Sequence, residues 1–447
     1  MLTKQVYDDE MEKYVEDKVD VNKLTLREVV KNKAILKREI IAGITGFFAI
    51  SYIIIVNPMI LADAGIPANL SVFATILSSM IGCWIIGFWA NSPIILTPGM
   101  GVNAFFTYTL VINMGLSWQA AIAVSLVSSA LYIVVAFTKL SDTLSNAIPG
   151  TLKNGITVGI GMFLVVIGLE KASLITAGES SFIELGSLTN PSVLLALFGL
   201  VLNLFLYLKR VNGGFLIGII TTSIVGVLFH IQDANTTKVL LSDIANYGQI
   251  VAKGDFSSLL TIPFLLAMFS MSMILIFESM GLLEGLLPDQ NKFKKTFAGG
   301  SVATFLSGLF GTSPTVAAAE SAAGIKSGGS TGIMAIVAGL LFGLSILFIP
   351  LLSYVPQAAI APIIIITGAM MMQSLKFINF DSFSDWFPAF LIIVLIPFTS
   401  SISIGLSFGF VAYPLMKVFE GKGKIVHPAM YLIGLLFLLN LIFMGFM

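Results

Sequence analysis

The chain has 447 residues, 57% of them hydrophobic and 11% charged, and its 24 basic and 24 acidic residues cancel. A soluble domain carries about a quarter charged residues, so a soluble multidomain enzyme is excluded, and the zero net charge removes the field that would recruit nucleic acid. One cysteine, Cys83, and two distant histidines, His230 and His427, exclude disulfides and a His/Cys metal centre.

The pattern predicts an all-α polytopic membrane protein. Residues 1–39 form a charged N-terminal segment without the apolar core of a cleavable signal. Within it, residues 1–38 intersperse nine basic and eight acidic residues, which suits a solvated amphipathic helix on the membrane surface. Apolar runs long enough to cross a bilayer then follow. We place them at 40–62, 69–91, 93–113, 117–138, 149–169, 192–209, 214–230, 258–284, 295–310, 313–325, 330–352, 356–374, 385–400 and 402–419. A fifteenth apolar stretch, 427–446, either crosses or lies against the bundle.

Charge sets the expected orientation. Nine basic residues precede the first span, so the N-terminus is expected in the cytoplasm. With fourteen spans, 21 of the 24 basic residues fall on the cytoplasmic side; only Lys171, Lys238 and Lys253 fall outside. One span added or lost would invert this pattern downstream.

Seven spans per half make the second half an inverted copy of the first. Residues 97–105 read Thr-Pro-Gly-Met-Gly-Val-Asn-Ala-Phe, and residues 312–320 read Thr-Ser-Pro-Thr-Val-Ala-Ala-Ala-Glu. Each opens with a hydroxyl residue before proline, so Thr97 and Ser313 are expected to cap helices with Pro98 and Pro314 in the first turn. A helix over 314–325 would rise about 18 Å, roughly half the bilayer core. Spans three and ten are therefore predicted to be discontinuous, each an extended piece followed by a half helix. Paired interrupted spans at matching positions of two halves point to a transporter's substrate site.

Two carboxylates stand inside spans: Glu278 in Ile276-Phe277-Glu278-Ser279-Met280-Gly281, and Glu320 in Ala318-Ala319-Glu320-Ser321-Ala322. A charge at mid-bilayer costs about 2.5–3.5 kcal/mol on insertion scales, so such residues face a cavity or a partner. No basic residue lies at a span centre to pair with either. Desolvation then favours the neutral acid, which suits proton coupling, and a carboxyl also binds ring N–H groups. Glu284 sits nearer the cytoplasmic end and reads as interfacial. Phe105, Phe106 and Phe277 offer faces for a planar ligand, although lipid or core packing is the commoner fate of a phenylalanine here.

The same segments carry a resemblance. Asn57-Pro58-Met59-Ile60-Leu61, Pro98-Gly99-Met100-Gly101-Val102-Asn103-Ala104-Phe105-Phe106 and Glu320-Ser321-Ala322-Ala323-Gly324-Ile325 resemble the AzgA-like adenine/guanine/hypoxanthine permeases, a branch of the nucleobase–cation symporter-2 (xanthine/uracil permease) family. The resemblance runs from about residue 38 to the C-terminus. It implies fourteen spans in two inverted repeats of seven. Residues 40–138 and 258–352 would form a core domain and 149–230 and 356–420 a gate domain, with 427–446 an additional hydrophobic segment. It implies an elevator-type carrier that imports purines by cation symport. Glu278, Glu320 and Asn103 match the family's acidic and amide positions, and its backbone contacts map to Gly99, Gly101, Thr312 and Ser313, with Glu278 and Glu320 also the proton-coupling acids. Span eight departs from the family's Phe-Asp-Thr-x-Gly-Thr, reading Phe277-Glu278-Ser279-Met280-Gly281-Leu282, and the family's Gly-Gly-Arg-Thr-Gly becomes Gly328-Gly329-Ser330-Thr331-Gly332. These changes leave open another planar or anionic solute, such as uracil, xanthine or an anion, although an anion carrier would want a basic residue at the half-helix ends.

The expected partners are a small nucleobase and the bilayer of the plasma membrane, with no nucleic acid, metal or cofactor. The coupling ion is expected to be H⁺, with Na⁺ an alternative that two carboxyls also serve. A homodimer through the gate is a family-level expectation. No enzymatic activity is expected: the glycines at 328–332 lack the lysine of a phosphate loop.

Overall fold

The structure, a computed structural model, describes residues 21–178, 183–231 and 239–445. Residues 1–20 of the N-terminal segment, Lys238 and the last residue of the predicted 427–446 stretch lie outside that set.

Elements occur at every predicted apolar segment. Helix α1 spans Lys33–Asp63 with a turn at Ser51 and Tyr52, and α2 spans Ala68–Ala90. Strand β1, Leu96–Pro98, leads into α3, Met100–Ala104, which continues as a π-helix over Phe105–Asn113. Helices α4 (Trp118–Phe137) and α5 (Gly150–Lys171) follow. A hairpin of β2 (Ile175–Ala177) and β3 (Ile183–Leu185) precedes α6 (Pro191–Leu208) and α7 (Gly214–Leu228). The second half holds α8 (Ile262–Leu286), α9 (Phe293–Leu309), β4 (Thr315–Ala317) and α10 (Ser321–Lys326). It continues with α11 (Gly332–Tyr354), α12 (Gln357–Phe377), α13 (Phe383–Thr399), α14 (Ile402–Phe419) and α15 (Pro428–Gly445). Among the described residues, nine helices are long and apolar enough to cross a membrane.

Local chemistry explains several boundaries. Ser117 caps α4 by accepting the Ala120 amide, and Asn190 caps α6 by accepting that of Ser192, with Pro191 in the first turn where its missing N–H costs nothing. Asn91 ends α2 in the left-handed conformation at φ 47°. Its side chain accepts the Gly332 amide at 2.8 Å and donates to Leu24 O at 2.8 Å, tying α2 to the start of α11 and to the N-terminal segment. The described part of that segment, with Val21 and Val29 buried, packs on Ile333 of α11.

The helices pack in two groups. In the first, α1 packs on α2, α10 and α11, and α4 packs on α8 and α9. In the second, α5 packs on α12 and α13, α6 on α7 and α12, and α14 on α13 and α15. The groups meet where α5 touches α3 and α8, and where α7 touches α1. Helix α15 lies against α14, so the stretch after residue 427 is a packed helix.

Candidate functional site

Spans three and ten are broken, but not where the prolines predicted. Thr97 and Pro98 lie in strand β1, and α3 begins at Met100 with Gly99 as its cap. Pro314 precedes strand β4, and α10 starts only at Ser321. Thr97 and Ser313 are therefore not helix caps, and no helix covers 314–325. The physical reason is pairing. Leu96, Thr97 and Pro98 face Ala317, Val316 and Thr315 in an antiparallel register, extended by the Gly99 amide donating to Pro314 O at 3.2 Å. Proline sits at a strand end because the N–H it lacks is not needed there.

Backbone at this depth must be satisfied by protein. Side chains supply the missing partners along the outer edges of both strands. The Leu96 amide donates to Cys83 Sγ and the Ile95 amide to Ser321 Oγ at 3.0 Å. The Thr315 amide donates to Ser307 Oγ at 3.1 Å, and Thr304 Oγ1 donates to Thr315 O at 2.7 Å. Gly99 permits the crossing itself, since a Cβ there would lie 2.4 Å from Val316 Cγ2.

Asn57 locks the crossing to the first two helices. Its Nδ2 donates to Thr75 Oγ1 at 2.8 Å and Thr312 Oγ1 at 3.0 Å, and its Oδ1 accepts from Ser313 Oγ at 3.1 Å. The side chains of Thr312 and Ser313 thus serve this buried network, which leaves their backbone as what they offer a ligand.

The structure brings Glu278 against Gly101, buries Asn103 two positions further along α3, and sets Glu320 on the segment that leaves the crossing. A Cβ on Gly101 would stand 3.5 Å from both carboxylate oxygens of Glu278 and 2.8 Å from Ile160 Cγ2 on α5. Glu278 Oε2 and both polar atoms of the Asn103 side chain are buried without a hydrogen-bond partner. Buried polar atoms of this kind lose about 1–3 kcal/mol each unless something pairs with them. The amides of Met100, Gly101 and Val102 occupy the first turn of α3, where an α-helix offers them no acceptor. Glu320 Oε1 accepts from the Tyr52 hydroxyl at 2.6 Å. Neither acid forms a salt bridge among the described residues.

Glu278 is half-buried, and Gly281 and Gly285, three and seven positions on, are exposed with open space where a Cβ would be. These positions share one helical face, which leads toward the end of α8 bearing Glu284. At that end Lys153 Nζ lies 3.8 Å from Glu284 Oε1. At the opposite end of the bundle Lys171 pairs with Asp63 at 2.6 Å, and Tyr108 donates to the same carboxylate at 2.7 Å. Phe105, Phe106 and Phe277 are buried in packing, the last stacked on Phe410 at 6.1 Å. A cavity of about 800 Å³ between α1, α7 and α11 is lined by Phe47, Ile219, Leu228 and Phe348.

Sequence reasoning missed three buried polar anchors: Tyr52, Asn57 as a network hub, and Glu39. The Glu39 Oε1 accepts the Ser330 and Thr331 amides at 2.8 and 3.0 Å, holding the glycine-rich 328–332 turn at the start of α11. The available signal for Glu39 was an acid at the very edge of the first apolar run.

A helical bundle whose polar atoms converge on a pair of broken spans defines a polytopic membrane transporter. The chain belongs to the Permease family of xanthine/uracil carriers, whose profile matches residues 37–408. Relatives include the nucleobase transporter PlAzg2 of Paenibacillus larvae, 42% identical over 85% of this chain and 77% of the relative. The guanine/hypoxanthine permease PbuO of Bacillus subtilis is 36% identical over 91% of this chain and 97% of its own length. The adenine permease AdeQ of Escherichia coli is 34% identical over 91% and 93%. Among solved structures, the transmembrane domain of the cyanobacterial bicarbonate transporter BicA superposes with a TM-score of 0.61 at 18% identity, over 85% of this chain and 98% of that domain. That likeness concerns the fold. The chain is a multi-pass membrane transporter rather than an enzyme.

Proposed function

We propose that the protein imports a nucleobase, foremost a purine such as adenine, guanine or hypoxanthine, across the plasma membrane by cation symport. The observation that carries this is the set of unpaired polar atoms at the crossing: Glu278 Oε2, and Asn103 Nδ2 and Oδ1. A purine presents donors and acceptors on one planar edge. A carboxyl takes its N–H groups, and an amide donates and accepts at once. The open first turn of α3 at Gly99–Gly101 adds amides suited to ring nitrogens or an exocyclic oxygen. The relatives named above, whose names specify nucleobases, adenine and guanine/hypoxanthine, support the same substrate class.

Fourteen spans in two inverted repeats, with α1–α4 and α8–α11 as the core and α5–α7 and α12–α14 as the gate, fit the packing groups described above. The substrate cluster then lies on the core beside α5 of the gate, at the surface along which an elevator slides. Neutralising Glu278 and Glu320 with a proton lowers the cost of carrying the site past apolar side chains. H⁺ is therefore the coupling ion of choice, and no cofactor takes part. With the N-terminus cytoplasmic, the open face at Gly281 and Gly285 leads inward, and the Asp63–Lys171 pair closes the outer side. Family likeness adds a gate-domain homodimer.

The test is uptake of labelled purines and pyrimidines by proteoliposomes under imposed H⁺ or Na⁺ gradients. Purine accumulation driven by a proton gradient, abolished by Glu278→Gln, is the expected result. Base uptake undiminished in both Glu278→Gln and Glu320→Gln overturns the site. Accumulation of bicarbonate or another anion without any base overturns the substrate class.

A further inference from the structure

Tyr52 occupies the turn that interrupts α1, and its side chain is fully buried. Its hydroxyl lies 2.6 Å from Glu320 Oε1 and 3.5 Å from Thr367 Oγ1. Glu320 belongs to the segment between β4 and α10, whereas Thr367 belongs to α12, which packs on α5 and α6. The Tyr52 ring meets Phe215 of α7 edge-on at 5.5 Å. One phenol thus touches both helix groups at the acid assigned above to coupling.

A phenol has a single proton and donates to one acceptor at a time. An ionised Glu320 claims that proton through a short, charge-assisted bond, and Thr367 is left at the limit of bonding distance. A neutral Glu320 carries a proton of its own, which it can donate to the Tyr52 oxygen. The Tyr52 O–H then turns to Thr367 Oγ1. Protons balance in this exchange: one is added to Glu320, and the Tyr52 proton stays on its oxygen and changes acceptor. A nucleobase N–H that takes the Oε1 position held by the phenol has the same effect, because it displaces the Tyr52 donor from the carboxylate.

We propose that Tyr52 is a positioning residue that reports the state of the Glu320 carboxyl to α12, bonding within the core when the acid is charged and across to Thr367 when it is neutral or occupied. This rests on the division into core and gate given under the proposed function. Few other groups compete. Tyr52 is the ionisable side chain that reaches Glu320 from α1. The neighbours of Thr367 on α12, Ile363, Ile364, Ile366 and Gly368, carry no charge. Lys326 stands at the far, exposed end of α10, and Glu278 on α8 is the other acid of the junction.

Three variants of the full-length protein test the relay. Tyr52→Phe keeps the ring against Phe215 and removes the donor. Thr367→Val removes only the acceptor on α12, and Thr367→Ser restores it. In proteoliposomes with labelled hypoxanthine, adenine and guanine, Thr367→Val should leave Kd within about twofold while the maximal uptake rate falls about fivefold or more, and Thr367→Ser should recover the rate. Tyr52→Phe should lower the rate and flatten the pH profile of Kd. Infrared difference spectra across a pH titration read the bond directly, without any substrate. The C–O band of Tyr52, assigned by its loss in Tyr52→Phe, should shift on acidification in both the wild type and Thr367→Val but end at a different acidic position in Thr367→Val, where the freed hydroxyl has no acceptor on α12. A wild-type rate in Thr367→Val, equal losses of affinity and rate, or the same band shift in Thr367→Val and wild type overturns the proposal. If no base is transported, the substrate reading fails, and the infrared arm alone decides the relay.

Discussion

Gly101 is the position where a single methyl group should separate binding from folding. A Cβ there stands 2.8 Å from Ile160 Cγ2 and 3.5 Å from each oxygen of Glu278. Carbon atoms prefer about 3.5–4.0 Å, so Gly101→Ala overlaps Ile160 by about 1 Å and lays an apolar group against the carboxylate. Overpacking of this size costs about 1–3 kcal/mol. At about 1.4 kcal/mol per factor of ten, strain borne by the bound state weakens hypoxanthine binding roughly five- to 150-fold. Ile160 belongs to α5, across the junction between the helix groups, so the strain depends on how closely α5 approaches α3. The assay is a double-mutant cycle on purified protein, with Kd for labelled hypoxanthine read beside Tm. Ile160→Ala removes the clashing carbon at its own stability cost of about 2–5 kcal/mol. In that background Gly101→Ala should weaken binding less than about threefold. An equal loss in both backgrounds, or none in the wild-type background, refutes the reasoning.

Glu39→Ala strands the Ser330 and Thr331 amides, which should cost about 1–3 kcal/mol and lower Tm; an unchanged Tm would show that this anchor is idle. The Asp63–Lys171 pair is partly exposed, with side chains 28% and 13% accessible, so its coupling energy should be no more than about 1 kcal/mol. The exchange variant Asp63→Lys with Lys171→Asp should recover uptake that each single change reduces, and failure to recover argues against a charge-pair role. Glu420, in the loop after α14, has its carboxyl held down at about 2, first by the Ser384 hydroxyl and then by Lys422. A depressed acid adds stability that is complete above its ordinary value near 4.5 and is lost as pH falls toward the folded value. Ser384→Ala should therefore move the acid-unfolding midpoint upward, and an unmoved midpoint would remove this contact from the account.

Much of the fold was legible because the bilayer simplifies the code. Apolar length located the helices, and the prolines with glycines at 97–101 and 311–314 marked the two breaks. The exact backbone at the breaks was not legible. Thr-Pro suits a helix start and a strand end equally, and the choice was made by a partner strand in the other half of the chain. Glu278, Glu320 and Asn103 stood out as polar groups in apolar runs. Thr312 and Ser313 also stood out, yet their side chains are spent on Asn57. Tyr52 and Glu39 stayed hidden because a tyrosine in a span and an acid near a span's end each have an ordinary explanation; only long-range bonds, across 268 and 291 positions, gave them roles.

The β1–β4 crossing joins residues about 220 positions apart, and this orders events during synthesis. While the first half is being threaded into the membrane, the Leu96–Pro98 backbone has no strand to pair with, and bare amides are costly in hydrocarbon. The nascent protein must keep this stretch wet or shielded until β4 emerges from the ribosome. Separately expressed halves should accordingly be quality-control substrates on their own and become long-lived once both are made in the same cell.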